Sequence, residues 1–375
     1  MNNKLRPIIK WTGGKYSEFT LFADYIPKFD RYIEPFFGGG GVFFALQPKV
    51  QSFINDKSTD LINFYKQVGH KEFKKELFNY ATAWEELGDI TIKMWKECST
   101  TFIDFIQKDI VPTTLNESLL KHLSSTLDAD LLLNNQDFII DKNLFKNMLL
   151  ASIADKAKRI KKICEKEGRN FKNDELKSHF ETGIRSGAYL FFRTLLNKQY
   201  TKILKLNPTK EAANWYFVRE FCYGSMFRFN AKGEFNIPYG GIAYNRKNFR
   251  QKAENIFNSK ITTLFKHTSI FNLDFELFLN QLALKSTDFI FLDPPYDSEF
   301  SEYDQNAFTQ NDQQRLATFL IKSPAKWMVV IKETEFIRKI YTNPKVQILT
   351  FDKSYTYNVR GRNNRGATHL IITNY

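Results

Sequence analysis

One short run constrains the fold of this chain more than any other. Asp288–Leu292 reads DFIFL, nearly continuous in apolar side chains, and it ends at Asp293-Pro294-Pro295. A strand with one face in water alternates apolar and polar residues, whereas a run that is apolar throughout is buried on both faces. Such a strand needs a neighbour on each side and helices above and below, which is the interior of a largely parallel α/β sheet. The same texture recurs in Trp327–Lys332 (WMVVIK) and His369–Thr373 (HLIIT), and Gln347–Phe351 is expected to pair with the last of these. Near the amino terminus Arg31–Phe36 and Ser52–Asn55 are strand-like. Helical spacing follows each, at Val42–Leu46 and Leu61–Val68.

From about His70 to Leu206 the texture changes. Lys, Glu, Leu and Phe dominate, glycine and proline are sparse, and no repeat is visible. Apolar spacing predicts helices over Lys71–Leu87, Leu144–Glu167 and Gly187–Tyr200, with Pro112–Asp141 read as a stretch containing a long loop. Then FRFNAKGEFNIPYG (Phe227–Gly240) places two aromatic runs around Ala231-Lys232-Gly233, the pattern of a β-hairpin, assigned here to residues 223–240. The simplest organisation is one sheet domain made from both ends of the chain, 1–70 and 265–375, with 71–264 inserted.

Charge narrows the partner. Among 375 residues Lys and Arg number 54 and Asp and Glu 41, a net charge of +13. That excess favours a polyanion, because a cationic surface releases counterions from phosphates. Cys98, Cys164 and Cys222 are far apart and odd in number, which supports neither a disulfide framework nor a zinc site. The five histidines show no ligand spacing, and none is assigned chemistry. Without an apolar run of membrane-spanning or signal-peptide length, the chain is expected in the cytoplasm, away from membranes.

Three motifs carry candidate chemistry. In EPFFGGGG (Glu34–Gly41) glycines follow a strand and precede a helix. They allow close approach of backbone to a ligand, or a tight turn with positive φ, and the residues leave both open. Asp56 ends the next strand, about 20 residues on, where an acidic side chain holds a ribose diol in nucleotide sites. KWTGGK (Lys10–Lys15) reads by itself as a surface turn, with carboxylate or phosphate binding as the alternative. DPPY (Asp293–Tyr296) stands at the carboxyl end of a buried strand, the edge where ligands bind in open α/β sheets. An exocyclic aromatic amine is a poor nucleophile, because its lone pair is delocalised into the ring. The Asp293 carboxylate and the Pro294 carbonyl are suited to accept its two hydrogens. Pro294 and Pro295 stiffen the loop, and Tyr296 offers a flat face to a flipped base. Taken alone, Asp-Pro-Pro is also a good strand-ending turn.

KWTGGK, EPFFGGGGVFF, IND (Ile54–Asp56), GEFNIPYG (Gly233–Gly240) and LDPPY (Leu292–Tyr296) occur in that order across most of the chain. Together they resemble the Dam-type family of adenine-N-methylating DNA methyltransferases. The resemblance implies a Rossmann-like, mostly parallel methyltransferase sheet with an inserted, mainly helical DNA-recognition domain that contains a hairpin. It implies S-adenosylmethionine as methyl donor, direct in-line transfer to the amino group of an adenine in double-stranded DNA, no covalent intermediate and no metal. Trp11, Lys15, Asp56 and Asp293 correspond to positions that contact the cofactor, Gly38, Gly39 and Gly40 line its pocket with Glu34 and Phe36 beside them, and Asp274 (in NLDF) approaches its adenine. On the hairpin Arg228 aligns with a base-reading arginine, Tyr223 is placed to wedge into the base stack, and Asn230 and Pro238 share the element.

Other charges carry blander readings. Lys156–Arg169 is a helix with a solvated basic face, and Arg360, Arg362 and Arg365 either touch phosphates or lie in a solvated loop. The helical middle is longer than a compact member of the family needs, so the target sequence stays open. The resemblance fits a partner of a restriction endonuclease or a solitary regulatory enzyme, acting as a monomer or weak dimer. The competing readings are a methyltransferase of RNA or of protein amides, which usually carries Asn where this chain has Asp293, and a DNA-binding protein without activity.

Overall fold

The computed structural model describes residues 5–108, 110–296, 308–354 and 366–375. They form two compact units. One joins the amino-terminal residues up to Gly69 with Ile256–Tyr375, and the other is His70–Asn255.

In chain order the first unit begins with α1 (Phe19–Phe22), β1 (Arg31–Glu34), α2 (Gly41–Leu46), β2 (Ser52–Asn55) and α3 (Thr59–Gln67). The second unit supplies α4 (Lys71–Gln107), α5 (Pro112–Asp128), α6 (Lys142–Glu167), α7 (Asn173–Tyr200), α8 (Pro208–Phe221) and α9 (Phe249–Ile256). The chain then returns through α10 (Ser259–Lys266), β3 (Thr268–Phe271), α11 (Phe275–Asn280), β4 (Asp288–Leu292), α12 (Gln310–Lys322), β5 (Lys326–Lys332), α13 (Glu335–Ile340), β6 (Gln347–Ser354) and β7 (Gly366–Thr373).

The seven strands form one sheet in the order β3-β2-β1-β4-β5-β7-β6. β3, β2, β1, β4 and β5 run parallel, while β7 is antiparallel to both β5 and β6. Every residue of β4 is buried, as the apolar run over 289–292 requires, and the carboxylate of Asp288 at its start is paired with Arg31. Ile33, Ile290, Leu292, Trp327, Val329, Leu370 and Ile372 pack on one face against Phe278, Leu316, Leu320 and Tyr341 of the covering helices. On the other face Phe291 stacks on Phe22 at 5.7 Å, and Tyr32 meets Phe43 at 6.1 Å. The chain passes from β1 outward to β2 and β3, then resumes on the other side of β1 with β4. The carboxyl ends of β1 and β4 therefore flank the switch point, where an open sheet leaves room for a ligand.

Three expectations are revised. The return to the sheet unit falls at Ile256 rather than 265, so that nearly all of α10, with Ile261 and Leu264 buried, belongs to that unit. α10 also leads into β3, a strand too short and too mixed to stand out in the sequence. Pro112–Asp128 is a helix rather than loop. Pro112 opens it at the first turn, and Leu115, Leu119, Leu123 and Leu127 make a buried stripe at every fourth residue amid Ser, Thr and Asn. α4 continues twenty residues beyond Leu87, with Met94, Cys98, Phe102 and Phe105 prolonging its buried stripe. In the same unit α6 and α7 pack closely because Gly187 carries no side chain, and a Cβ there would stand 2.6 Å from the Cα of Leu149.

Candidate active site

The two glycine motifs are halves of one structure. Gly38 and Gly40 have φ of +49° and +66°, so the turn itself requires them. Close approach is required as well. A Cβ on Gly38 would lie 2.8 Å from the Trp11 ring, and one on Gly39 would lie 2.9 Å from Trp11 Cβ. One on Gly41 would meet the backbone nitrogen of Tyr16 at 2.8 Å. The amino-terminal segment that reads as a surface turn thus lies against the glycine loop, and its Lys15 is only 2% exposed.

Asp56 is held by the same loop. One of its oxygens accepts from the Gly38 N–H at 2.8 Å and the other from the Ser58 N–H at 2.9 Å. Asn55 ties the strand ends beneath it. Its Nδ2 donates to the carbonyls of Pro35 and Leu273, both at 3.0 Å, while its Oδ1 accepts from the Leu273 N–H at 2.9 Å. Asn272 Nδ2 donates to the Asp56 carbonyl at 2.8 Å. A carboxylate oriented by two N–H groups keeps lone pairs for hydroxyls.

Asp293 follows β4 directly. The Lys15 ammonium donates to its Oδ1, to the Tyr296 hydroxyl at 3.0 Å and to the Gly13 carbonyl at 3.1 Å, which uses all three of its protons. Gln313, fully buried on α12, donates from Nε2 to the Pro295 carbonyl at 2.8 Å and fixes the far side of the loop. Glu34, 2% exposed at the end of β1, accepts from the Tyr32 hydroxyl at 2.8 Å. Burial pushes its carboxyl well above the usual range; the Tyr32 hydrogen bond opposes this, and the charges of Asp293 and Asp56 add to it. Three carboxyl groups therefore share one edge of the sheet. Phe36 packs beside them against Phe275 at 5.6 Å and edge-on to Phe308 at 5.4 Å. Asp274 caps α11 by accepting from the Glu276 N–H at 3.0 Å, and it pairs with Arg315 at 3.0 Å.

In the second unit the 223–240 segment is not a continuous hairpin. Two isolated antiparallel bridges, Cys222↔Tyr239 and Phe229↔Phe235, replace a ladder. Gly224 and Ser225 both adopt positive φ, and Pro238 has no N–H to donate, so pairing is interrupted on both arms. The tip is nonetheless ordered by Asn230. Its Oδ1 accepts from the N–H groups of Lys232 and Glu234, and its Nδ2 donates to the Glu234 carboxylate. Tyr223, Arg228 and Pro238 are exposed.

The model of D12 class N6 adenine-specific DNA methyltransferases matches residues 11–94 and 142–357. This chain belongs to that family. The methyltransferase is 24% identical over 377 residues to the Type II methyltransferase M.CviBI of Paramecium bursaria Chlorella virus NC1A, covering 99% of this chain and all of that protein. It is 25% identical over 392 residues to the Type II methyltransferase M.MjaIII of Methanocaldococcus jannaschii, again with 99% and 100% coverage. The DNA adenine methylase of Serratia marcescens is 21% identical over 373 residues, covering 96% of this chain and 95% of that protein. The enzyme acts on DNA, at adenine, with a methyl donor. The match omits 95–141, which holds the distal part of α4, α5 and the turns after it.

The edge also contains polar side chains to which the motifs gave no role. Asn55, Asn272 and Gln313 orient the loops, and a buried polar side chain at a strand end is visible only once the neighbouring strands are known. His369 of β7 lies 3.2 Å from the Tyr296 hydroxyl, although no histidine stood out by spacing. Arg360, Arg362 and Arg365 lie outside the described residues.

Proposed function

We propose that the enzyme takes S-adenosylmethionine as its donor and methylates the exocyclic amine of an adenine flipped out of double-stranded DNA. The observation that carries this is the meeting of Asp293, Asp56 and Glu34 at the switch point, with Lys15 paired to Asp293. That donor set suits a cationic ligand bearing a ribose diol. In this reading Asp56 takes the diol, Trp11 and the glycine loop form the floor, Phe36 supplies an apolar wall, and Asp274 meets the adenine end. When bound, S-adenosylmethionine supplies an electrophilic methyl group on sulfur.

Asp293 and the Pro294 carbonyl accept the two hydrogens of the amine and so localise its lone pair on nitrogen. Pro295, held by Gln313, keeps these acceptors from drifting. Tyr296 stacks on the extruded base. In the second unit Arg228 reads a base edge or its near surroundings, with Tyr223, Asn230 and Pro238 on the same segment. Full-length likeness to two Type II methyltransferases supports a modification role beside a nuclease acting on the same site.

The test is to sequence DNA from cells expressing the protein with a method that detects methylated adenine. Methyladenine confined to one short motif, and absent with Asp293→Ala, is the expected result. Folded protein that binds S-adenosylmethionine yet leaves no methyladenine would move the substrate to RNA or protein. Titration calorimetry should show S-adenosylmethionine binding weakened at least tenfold by Asp56→Ala, the size of one lost charge-assisted hydrogen bond. Undiminished affinity would remove Asp56 from the cofactor site.

A further inference from the structure

We propose that His369 is a positioning residue for Tyr296, holding the phenol ring in the orientation that receives the flipped base. This rests on the reading of Asp293–Tyr296 as the catalytic loop.

His369 is fully buried on β7, in register with Lys332 of β5 and Phe351 of β6. The residues that follow it, Leu370, Ile371 and Ile372, are apolar and buried, as a covered strand demands. An imidazole in such a place is costly unless it is hydrogen-bonded. Its Nε2 lies 3.2 Å from the Tyr296 hydroxyl, with the rings 5.8 Å apart and inclined at 66°.

Lys15 sets one side of that hydroxyl. An ammonium group only donates, so the Tyr296 oxygen accepts from Lys15 at 3.0 Å. The single phenol proton is left to point elsewhere, and His369 Nε2 is within reach to accept it. In the Nδ1–H tautomer of His369 the phenol donates to Nε2, and in the Nε2–H tautomer it accepts; either way His369 is a partner of the hydroxyl. A tyrosine ring turns about two torsions, and partners from two strands of chain at its hydroxyl restrict both. Lys15 reaches on to Asp293, so His369, Tyr296, Lys15 and Asp293 form one connected chain. One end lies on β7 and the other directly after β4, and the chain joins the group that orients the base to the group that accepts from the amine.

The test is a mutant cycle on a duplex carrying the site that sequencing identifies, read by single-turnover methylation, by the KM for DNA and by 2-aminopurine fluorescence at the target position. His369→Leu should lower kcat about tenfold, the effect of one net hydrogen bond, with the KM for DNA little changed. His369→Gln, whose amide oxygen reaches the Nε2 position, should stay within about threefold of the native enzyme, whereas the shorter His369→Asn should fall as the leucine variant does. In a Tyr296→Phe background, His369→Leu should cost nothing further. Full activity in His369→Asn, or an equal loss with and without the phenol, would overturn the proposal. If His369→Leu fails to fold, the Gln and Asn pair decides alone. If Tyr296→Phe and Asp293→Ala also leave kcat untouched, the catalytic reading itself fails; if they lose activity while both His369 truncations keep it, only the role of His369 falls.

Discussion

At the carboxyl edge of the sheet Lys15 is 2% exposed and Glu34 likewise, while the side chains expected to touch DNA in the second unit, Tyr223 and Arg228, are exposed. Both regions are stiffly supported, but in opposite senses. At the edge, the groups proposed to bind and react are themselves the bracing: Asp293 holds Lys15, Lys15 holds Tyr296, and Asp56 holds the glycine loop. In the 223–240 segment the bracing lies underneath. Tyr189, Arg193 and Asn197, spaced four apart on α7, take the carbonyls of Ile237, again Ile237, and Phe235, and Asn197 also accepts from the Phe235 N–H. Phe227 stacks on Phe235 at 4.4 Å. Arg228 is left to its partner. A chemical site needs fixed geometry before the substrate arrives, whereas a reading site needs side chains free to meet an edge. Substitutions should therefore couple activity to stability at the edge and uncouple them on the segment.

The largest effect is expected from Asp293→Ala. Methylation should fall about a thousandfold or more, the scale of losing a positioned proton acceptor. DNA binding measured by anisotropy should be largely retained. The same change leaves the Lys15 ammonium buried without its counter-charge, so thermal denaturation should show a lower Tm. Asp293→Asn keeps an acceptor for Lys15 but not the counter-charge, so it should recover only part of the Tm and little of the activity. An activity loss with the Tm unmoved in both variants would break the coupling argued for the edge.

Next is Gly40→Ala. The left-handed φ of +66° and a Cβ placed 2.6 Å from the Phe37 ring should together cost about 3 kcal/mol of stability. Urea denaturation measures this, and a loss under about 0.5 kcal/mol would mean that the loop relaxes freely. Arg228→Ala should be smaller and of another kind. Specific DNA binding should weaken roughly tenfold to a hundredfold, discrimination at one base should relax, and the melting curve should not move. A uniform loss across all sequences would recast Arg228 as a phosphate contact.

The same contrast explains what was legible in the sequence. DFIFL announced a doubly covered strand because burial on both faces writes itself into every residue, and β4 has the bounds read from it. DPPY and the glycine run were visible because special backbone needs special residues. What stayed hidden depends on contacts distant in sequence. Nothing local in KWTGGK says that Trp11 will close on Gly38, nor that Lys15 will be buried against a residue 278 positions away. His369 looks like any isolated histidine until Tyr296 is placed beside it. The 223–240 arms alternate well enough for a hairpin, but the positive φ at Ser225, a non-glycine residue, is imposed by its surroundings and could not be read from its type.

The smallest effect tests the edge most finely. Burial, opposed by the Tyr32 hydrogen bond and reinforced by Asp293 and Asp56, holds the Glu34 carboxyl well above its ordinary range. Folding therefore favours the protonated form. The stability it contributes is complete below the ordinary carboxylate pKa and is lost as pH rises through the raised value. Glu34→Gln keeps the shape and removes the titration. Its Tm should match that of the native enzyme in mild acid and exceed it by a few degrees once pH passes the raised pKa. Parallel Tm curves for the two proteins would mean that Glu34 ionises as readily folded as unfolded.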